Sequence, residues 1–151
     1  MNIAFSPTTQ SDADTLVAIR IAAMRESLER IGRFDPQRAR ERFLASFDPA
    51  LCRFIEVDGV QSGFILIRPQ EDHWLLDHLY ILPEHQGKGI GAAVLRDVFA
   101  NADAQRMPIH LGALRGSDSN RFYQRHGFIQ SDEAEWDIYY VRQPSQPKVE
   151  S

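Results

Sequence analysis

The segment Leu79-Tyr80-Ile81-Leu82-Pro83-Glu84-His85-Gln86-Gly87-Lys88-Gly89-Ile90-Gly91 passes from an apolar, strand-like run through a proline into a loop with glycine at every second position. From Ile90 to about Ala104, Val94, Leu95, Val98 and Phe99 recur at helical spacing, so the loop joins a strand to the start of a helix. Such a junction gathers unpaired backbone N–H groups and the positive end of a helix dipole, which together bind anions. Glycine at 87, 89 and 91 lets the backbone approach a phosphate with no Cβ in the way. Lys88, one of two lysines in the chain, adds a positive charge. A glycine-rich connecting turn explains the same residues, and the loop taken alone does not separate the two.

Two other phosphate-binding patterns compete. Gly87-Lys88-Gly89-Ile90-Gly91-Ala92 fits the dinucleotide form G-x-G-x-x-G/A. However, Arg106-Met107-Pro108-Ile109-His110, where that pattern needs an acid for the ribose, contains none. At 151 residues the chain is also short for a dinucleotide domain plus a catalytic one. The P-loop pattern G-x-x-x-x-G-K-[ST] does not occur.

Around the loop the chain alternates elements. Asn2 to Phe5 reads as a short strand. Ser11-Asp12-Ala13-Asp14 has the capping-box form, and Leu16, Ile19, Ala23, Met24, Leu28 and Ile31 follow as one apolar helical stripe that Gly32 ends. Asp35-Pro36 reads as the N-cap and first-turn proline of a second helix to about Phe47. Asp58-Gly59 predicts a hairpin between strands Arg53–Val57 and Val60–Arg68. A strand from Trp74 to Leu82, the helix after the loop and a strand Ile109–Leu114 predict parallel pairing through a right-handed crossover. Ser117 or Asp118 caps a last helix to Arg125, and Phe128–Gln130 and Trp136–Val141 close the sheet as a strand pair. The class is α/β with a mixed sheet, one domain over 1–142. The polar stretch 143–151, twice interrupted by proline, is expected to be disordered.

Composition narrows the partners. A net charge of -4 is not that of a general nucleic-acid binder. Seven arginines lie between Arg20 and Arg42, but Glu26, Glu29, Asp35 and Glu41 share the stretch, the pattern of a solvated helical face. Cys52 is the only cysteine and sits in the apolar run Leu51-Cys52-Arg53-Phe54-Ile55, a core position rather than a nucleophile. No Cys/His cluster has metal-ligand spacing, so no metal is expected. Neither a secretory leader nor an 18-residue apolar run is evident, which points to a cytoplasmic protein with no membrane span.

A second block, Asn120-Arg121-Phe122-Tyr123-Gln124-Arg125-His126-Gly127-Phe128, completes the pattern. With the first block it resembles the GCN5-related N-acetyltransferase (GNAT) family: Q/R-x-x-G-x-G/A at Gln86–Gly91, then N-x-x-Y-x-x-x-G-F at Asn120–Phe128. The resemblance covers about residues 50 to 142. It implies a single-domain fold whose mixed central sheet, flanked by helices, has two parallel strands that splay apart to admit the pantetheine arm of acetyl-CoA. By that resemblance Leu79 and Ile81 meet the cofactor through main-chain groups, and Gln86, Gly87, Lys88, Gly89, Ile90 and Gly91 cradle its pyrophosphate. Asn120 would lie near the cofactor, and Tyr123 near its sulfur.

The implied reaction is direct transfer of an acetyl group from acetyl-CoA, as co-substrate, to a primary amine in a ternary complex. It needs a neutral amine, a polarised thioester carbonyl and a proton for the leaving thiolate. Tyr123 is the candidate general acid, and a backbone N–H of the splayed strand would polarise the carbonyl. The resemblance implies that a base on this strand uses the face that alternation gives to Leu75, Asp77, Leu79 and Ile81, which makes Asp77 the candidate base. His78, with the better intrinsic pKa, falls on the other face, and Glu26 in the first helix is a third candidate. Leu75 stands where some family members carry a glutamate.

The acceptor would be a small-molecule amine or a peptide N-terminus, with no nucleic acid and no membrane, and a homodimer is compatible. Arg25, Arg30 and Arg33 could hold a substrate carboxylate, whereas Glu26, Asp77 or Asp137 could attract a cation. The alternative is a non-catalytic acyl-CoA-binding sensor of the same fold, which has no need of an acid at Tyr123.

Overall fold

The computed structural model describes residues 1–145. Its strands and helices are β1 (Ile3–Pro7), α1 (Ala13–Arg30), α2 (Pro36–Ser46), β2 (Cys52–Val57), β3 (Val60–Pro69), β4 (Trp74–Ile81), α3 (Ile90–Ala104), β5 (Ile109–Leu114), α4 (Ser119–Arg125), β6 (Ile129–Glu133) and β7 (Asp137–Arg142). The seven strands form one mixed sheet, in the order β1-β2-β3-β4-β5-β7-β6, flanked by the helices. Two compact units build it: Met1–Ile67 with His78–Gly91, and Arg68–Asp77 with the chain from Ala92 onward.

In the first unit β1 and β3 flank β2, both antiparallel to it. Asp58 (φ 51°) and Gly59 (φ 81°) close the β2–β3 hairpin with the two positive φ angles that a primed two-residue turn requires. Pairing runs from Cys52↔Leu66 to Ile55↔Gly63 and then slips to Glu56↔Gln61, leaving Ser62 as the extra residue of a β-bulge. The core of this unit packs Leu16, Val17 and Ile19 of α1 and Phe43 of α2 against Cys52, Phe54, Phe64 and Leu66. Burial of each large apolar side chain contributes about 1.5–3 kcal/mol. Cys52, 1% exposed, is a core thiol.

Asp35 caps α2, accepting from the Arg38 N–H at 3.1 Å, with Pro36 in the first turn. The start of α1 differs from the expected Ser11–Asp14 box. Asp12 instead reaches back to the Thr9 N–H at 2.8 Å across a short 3₁₀ turn, because Thr9-x-x-Asp12 already has the spacing that a capping box needs. The buried stripe of α1 is correspondingly short and includes Val17, while Met24, Leu28 and Ile31 are only partly buried.

In the second unit β4 and β5 pair in parallel through Trp74↔Ile109 and Leu75↔His110, at the start of both strands. β7 inserts between β5 and β6, antiparallel to each. Val94, Leu95, Val98 and Ala102 of α3 are buried. Arg142 makes a two-bond ion pair with Asp103, at 2.8 and 3.1 Å, and its guanidinium lies 3.8 Å over the Phe99 ring. That hydrogen-bonded guanidinium holds the Asp103 carboxyl below its usual range, against the opposing effect of burial. Of the expected tail, 146–151 lie outside the described residues, and Ser145 donates its N–H to Asp103 at 3.0 Å.

Candidate functional site

The glycine loop leaves β4 through Pro83–His85, a single 3₁₀ turn. Gly87 (φ 77°) and Gly89 (φ 80°) occupy the left-handed region that side-chain-bearing residues avoid. A Cβ built on either meets no heavy atom within 4 Å, so the loop faces open space. Among the described residues no backbone carbonyl accepts from the N–H groups of Gly87, Lys88 or Gly89. These amides precede α3 (Ile90–Ala104), and the first-turn N–H groups of a helix have no intrahelical partner. The arrangement fits a pyrophosphate: an accessible nest of donors at a helix start, with room where a side chain would stand. Lys88 and His85 line a hollow of about 490 Å³ with Val57, Asp58 and Val60 of the hairpin.

Gln86, at the head of the loop, donates its side-chain amide to the Ile81 carbonyl at 2.9 Å and so ties the loop to the end of β4. Leu79 and Ile81 are partly buried.

The second motif lies on α4. Asn120 donates to the Leu114 and Ser117 carbonyls, at 2.9 and 3.0 Å, and accepts from the Tyr140 hydroxyl at 2.8 Å. Its side chain therefore staples the start of α4 to the end of β5 and the middle of β7. Burial pushes the Tyr140 phenol above its ordinary pKa, which keeps it a donor. One helical turn on, Tyr123 is 8% exposed, its ring edge-on to Phe122 and Phe128 at 5.3 and 5.4 Å. Asn120 stood out in the sequence but Tyr140 did not, its only signal being an aromatic at a buried alternation of the last strand.

The three candidate bases stand in different surroundings. The Asp77 carboxylate holds the Arg68 guanidinium at 2.7 Å, both groups mostly buried. His78 packs its ring against Phe43 and Phe64, at 5.3 and 6.1 Å. Its Nδ1 shares a 3.1 Å hydrogen bond with the Tyr80 hydroxyl, which also accepts from Arg20 Nε at 3.3 Å. The Glu26 side chain is 92% exposed and stands 3.9 Å from Arg30. Of the arginines considered for a substrate carboxylate, Arg25 pairs with Glu29 at 2.7 Å along its own helix. Among the described residues, no group of three or more His, Cys, Asp or Glu could hold a metal ion. No helix among them is long and apolar enough to cross a membrane.

The model of the family described as acetyltransferase (GNAT) domain matches residues 49–130, more than half of the chain. The chain belongs to the GNAT acetyltransferase family. No curated relative matches it.

Solved structures share its fold at low identity. The PaiA N-acetyltransferase from Thermoplasma acidophilum, solved with coenzyme A, is 18% identical with a TM-score of 0.76, covering 95% of this chain and 99% of its own. An acetyltransferase from Thermus thermophilus is 19% identical with a TM-score of 0.74, over 95% and 97% of the two chains. The ribosomal-protein-S18-alanine N-acetyltransferase from Escherichia coli is 14% identical with a TM-score of 0.72, over 97% of both.

Proposed function

We propose that residues 1–142 act as an acetyl-CoA-dependent N-acetyltransferase, transferring the acetyl group directly to a primary amine on a small molecule or a peptide N-terminus. The observation that carries this is the nest of uncommitted amides at Gly87–Gly89, open where a Cβ would stand. Acetyl-CoA supplies the activated acyl group. Amides of Gln86 to Gly91 hold its pyrophosphate, aided by Lys88, and main-chain groups of Leu79 and Ile81 hold its pantetheine arm. A β4 backbone N–H polarises the thioester carbonyl, and Tyr123 protonates the departing thiolate. Asn120 works through the staple it forms, fixing the helix that carries Tyr123.

The base is assigned to His78. Its imidazole has the chemistry for proton transfer near neutral pH and is steadied by the Tyr80 hydroxyl. Arg68 already holds the Asp77 Oδ2, and Glu26 faces solvent. Asp77 is thereby left as the partner of Arg68.

The test is a melting curve with acetyl-CoA on the parent and on Gly89→Val. A ligand bound only by the native state at a hundredfold excess over Kd stabilises by about 2.7 kcal/mol. The parent should melt higher with acetyl-CoA or CoA. Gly89→Val, which forces a β-branched residue to positive φ, should fold but lose most of the shift. No shift in the parent, or an equal shift in a folded Gly89→Val, counts against the reading.

A further inference from the structure

A glycine inside a strand weakens it, and one that persists there marks a place where another backbone comes too close for a side chain. Gly63 of β3 is such a place. A Cβ on it would lie 2.0 Å from the Tyr80 carbonyl oxygen, 3.0 Å from the Tyr80 carbonyl carbon and 3.1 Å from the Ile81 Cα. The obstruction is backbone, which cannot swing aside as a side-chain end can, so any substitution at 63 must move β4 or β3.

Its neighbour Ser62 is the extra residue of the β3 bulge, where the register slips between Ile55↔Gly63 and Glu56↔Gln61. Ser62 is fully buried; its hydroxyl donates to the Val60 carbonyl at 3.0 Å, and its own carbonyl accepts from the Leu82 N–H at 2.8 Å. From the loop side, Gln86 grips the Ile81 carbonyl. Tyr80, Ile81 and Leu82 are thus each approached or held at the main chain, at three successive residues. Bulges of this kind re-aim backbone and end regular pairing beside functional sites.

We propose that the Ser62–Gly63 bulge is a positioning device: through Tyr80 and Leu82 it sets the β4 main chain so that a β4 N–H facing away from β3 meets the thioester carbonyl of bound acetyl-CoA. This rests on the acetyltransferase reading above. Ser62 and Gly63 act through β4 and touch neither reactant, so their effect is read at the carbonyl of bound acetyl-CoA.

The experiment needs no knowledge of the acceptor. Carbonyl-labelled acetyl-CoA is bound to the full chain, the infrared carbonyl stretch is read in the binary complex, and CoA affinity is taken by calorimetry. The parent should lower the stretch relative to free acetyl-CoA in water. Gly63→Ala, read at saturating acetyl-CoA, should lose most of that lowering, and any loss of CoA affinity should be too small to account for it. Ser62→Ala, which removes only the hydroxyl bracing the bulge, should lose part of it, and it decides the matter if Gly63→Ala does not fold. A folded variant with the parent's stretch overturns the proposal. So does a loss of affinity that alone accounts for the change. A parent that binds no CoA overturns the acetyltransferase reading beneath it, a result distinct from both.

Discussion

Among single residues, the most depends on one hydroxyl. Tyr123→Phe keeps the ring between Phe122 and Phe128 and removes only the proton donor. If that donor serves the thiolate, single-turnover acetyl transfer should fall by about 10²–10⁴-fold. Acetyl-CoA affinity should change by no more than about 1 kcal/mol, the net contribution of one hydrogen bond. Unchanged turnover in a folded variant would leave Tyr123 a core aromatic. The base assignment is tested by the pH profile: His78→Gln should abolish the acidic limb of kcat/KM, whereas Asp77→Asn should keep it and lose stability instead. The reverse result would restore Asp77. Both motifs were legible in the sequence because their chemistry is local, set by residue type at short spacing. Arg68, which decides how Asp77 stands, was not, since nothing local pairs a residue at the end of β3 with one inside β4.

Among the elements, Asp58-Gly59, Asp35-Pro36 and the apolar period of α3 announced their structures, each being a dihedral or a periodicity written over a few residues. The place of β7 between β5 and β6, and the slip at Ser62, were not legible. Strand order and register are settled by partners distant in the chain, although a glycine inside the β3 run was a signal that could have been used. The Asn120 staple makes a prediction for its elements. Tyr140→Phe leaves the Asn120 oxygen without its donor, so stability should fall by about 1–2 kcal/mol in urea denaturation. If the staple sets Tyr123, single-turnover transfer should fall as well with CoA affinity unchanged; a stability loss alone would make it merely structural.

The junction of β4 and β5 carries a pH-sensitive feature. His73 and His110 stack at 4.0 Å between ring centres, with Asp72 on His73 at 2.7 Å. Burial lowers the His110 pKa, the facing His73 charge lowers it further, and Asp72 opposes. The native state thus binds the His110 proton less readily than the unfolded chain, so the unfolded chain gains as pH drops. Stability present above the ordinary histidine pKa of about 6.5 is lost as pH falls from there toward the lower native value. Replacing His110 by Gln should flatten the fall in urea midpoint between about pH 7 and pH 5. An identical fall in the variant would place that pH dependence elsewhere.

Across the whole molecule, the fold and family were recoverable from about ninety residues because two motifs occur in a fixed order across the strand–helix–strand core. The acceptor was not: of the α1 and α2 arginines, Arg25, Arg30 and Arg40 already pair with Glu29, Glu26 and Asp14. Shared fold at 14–19% identity does not transfer a substrate from the solved structures to this chain. Everything proposed for the site turns on turnover. The purified chain is incubated with acetyl-CoA and a panel of amines, small-molecule and peptide N-terminal, while free CoA thiol is followed. At least one amine should release thiol well above the enzyme-free rate, in step with acetylated product, and Tyr123→Phe should suppress the release. Acetyl-CoA that binds and raises the melting temperature, yet yields no thiol with any amine of the panel, would rule out the transferase and leave a sensor in place of an enzyme.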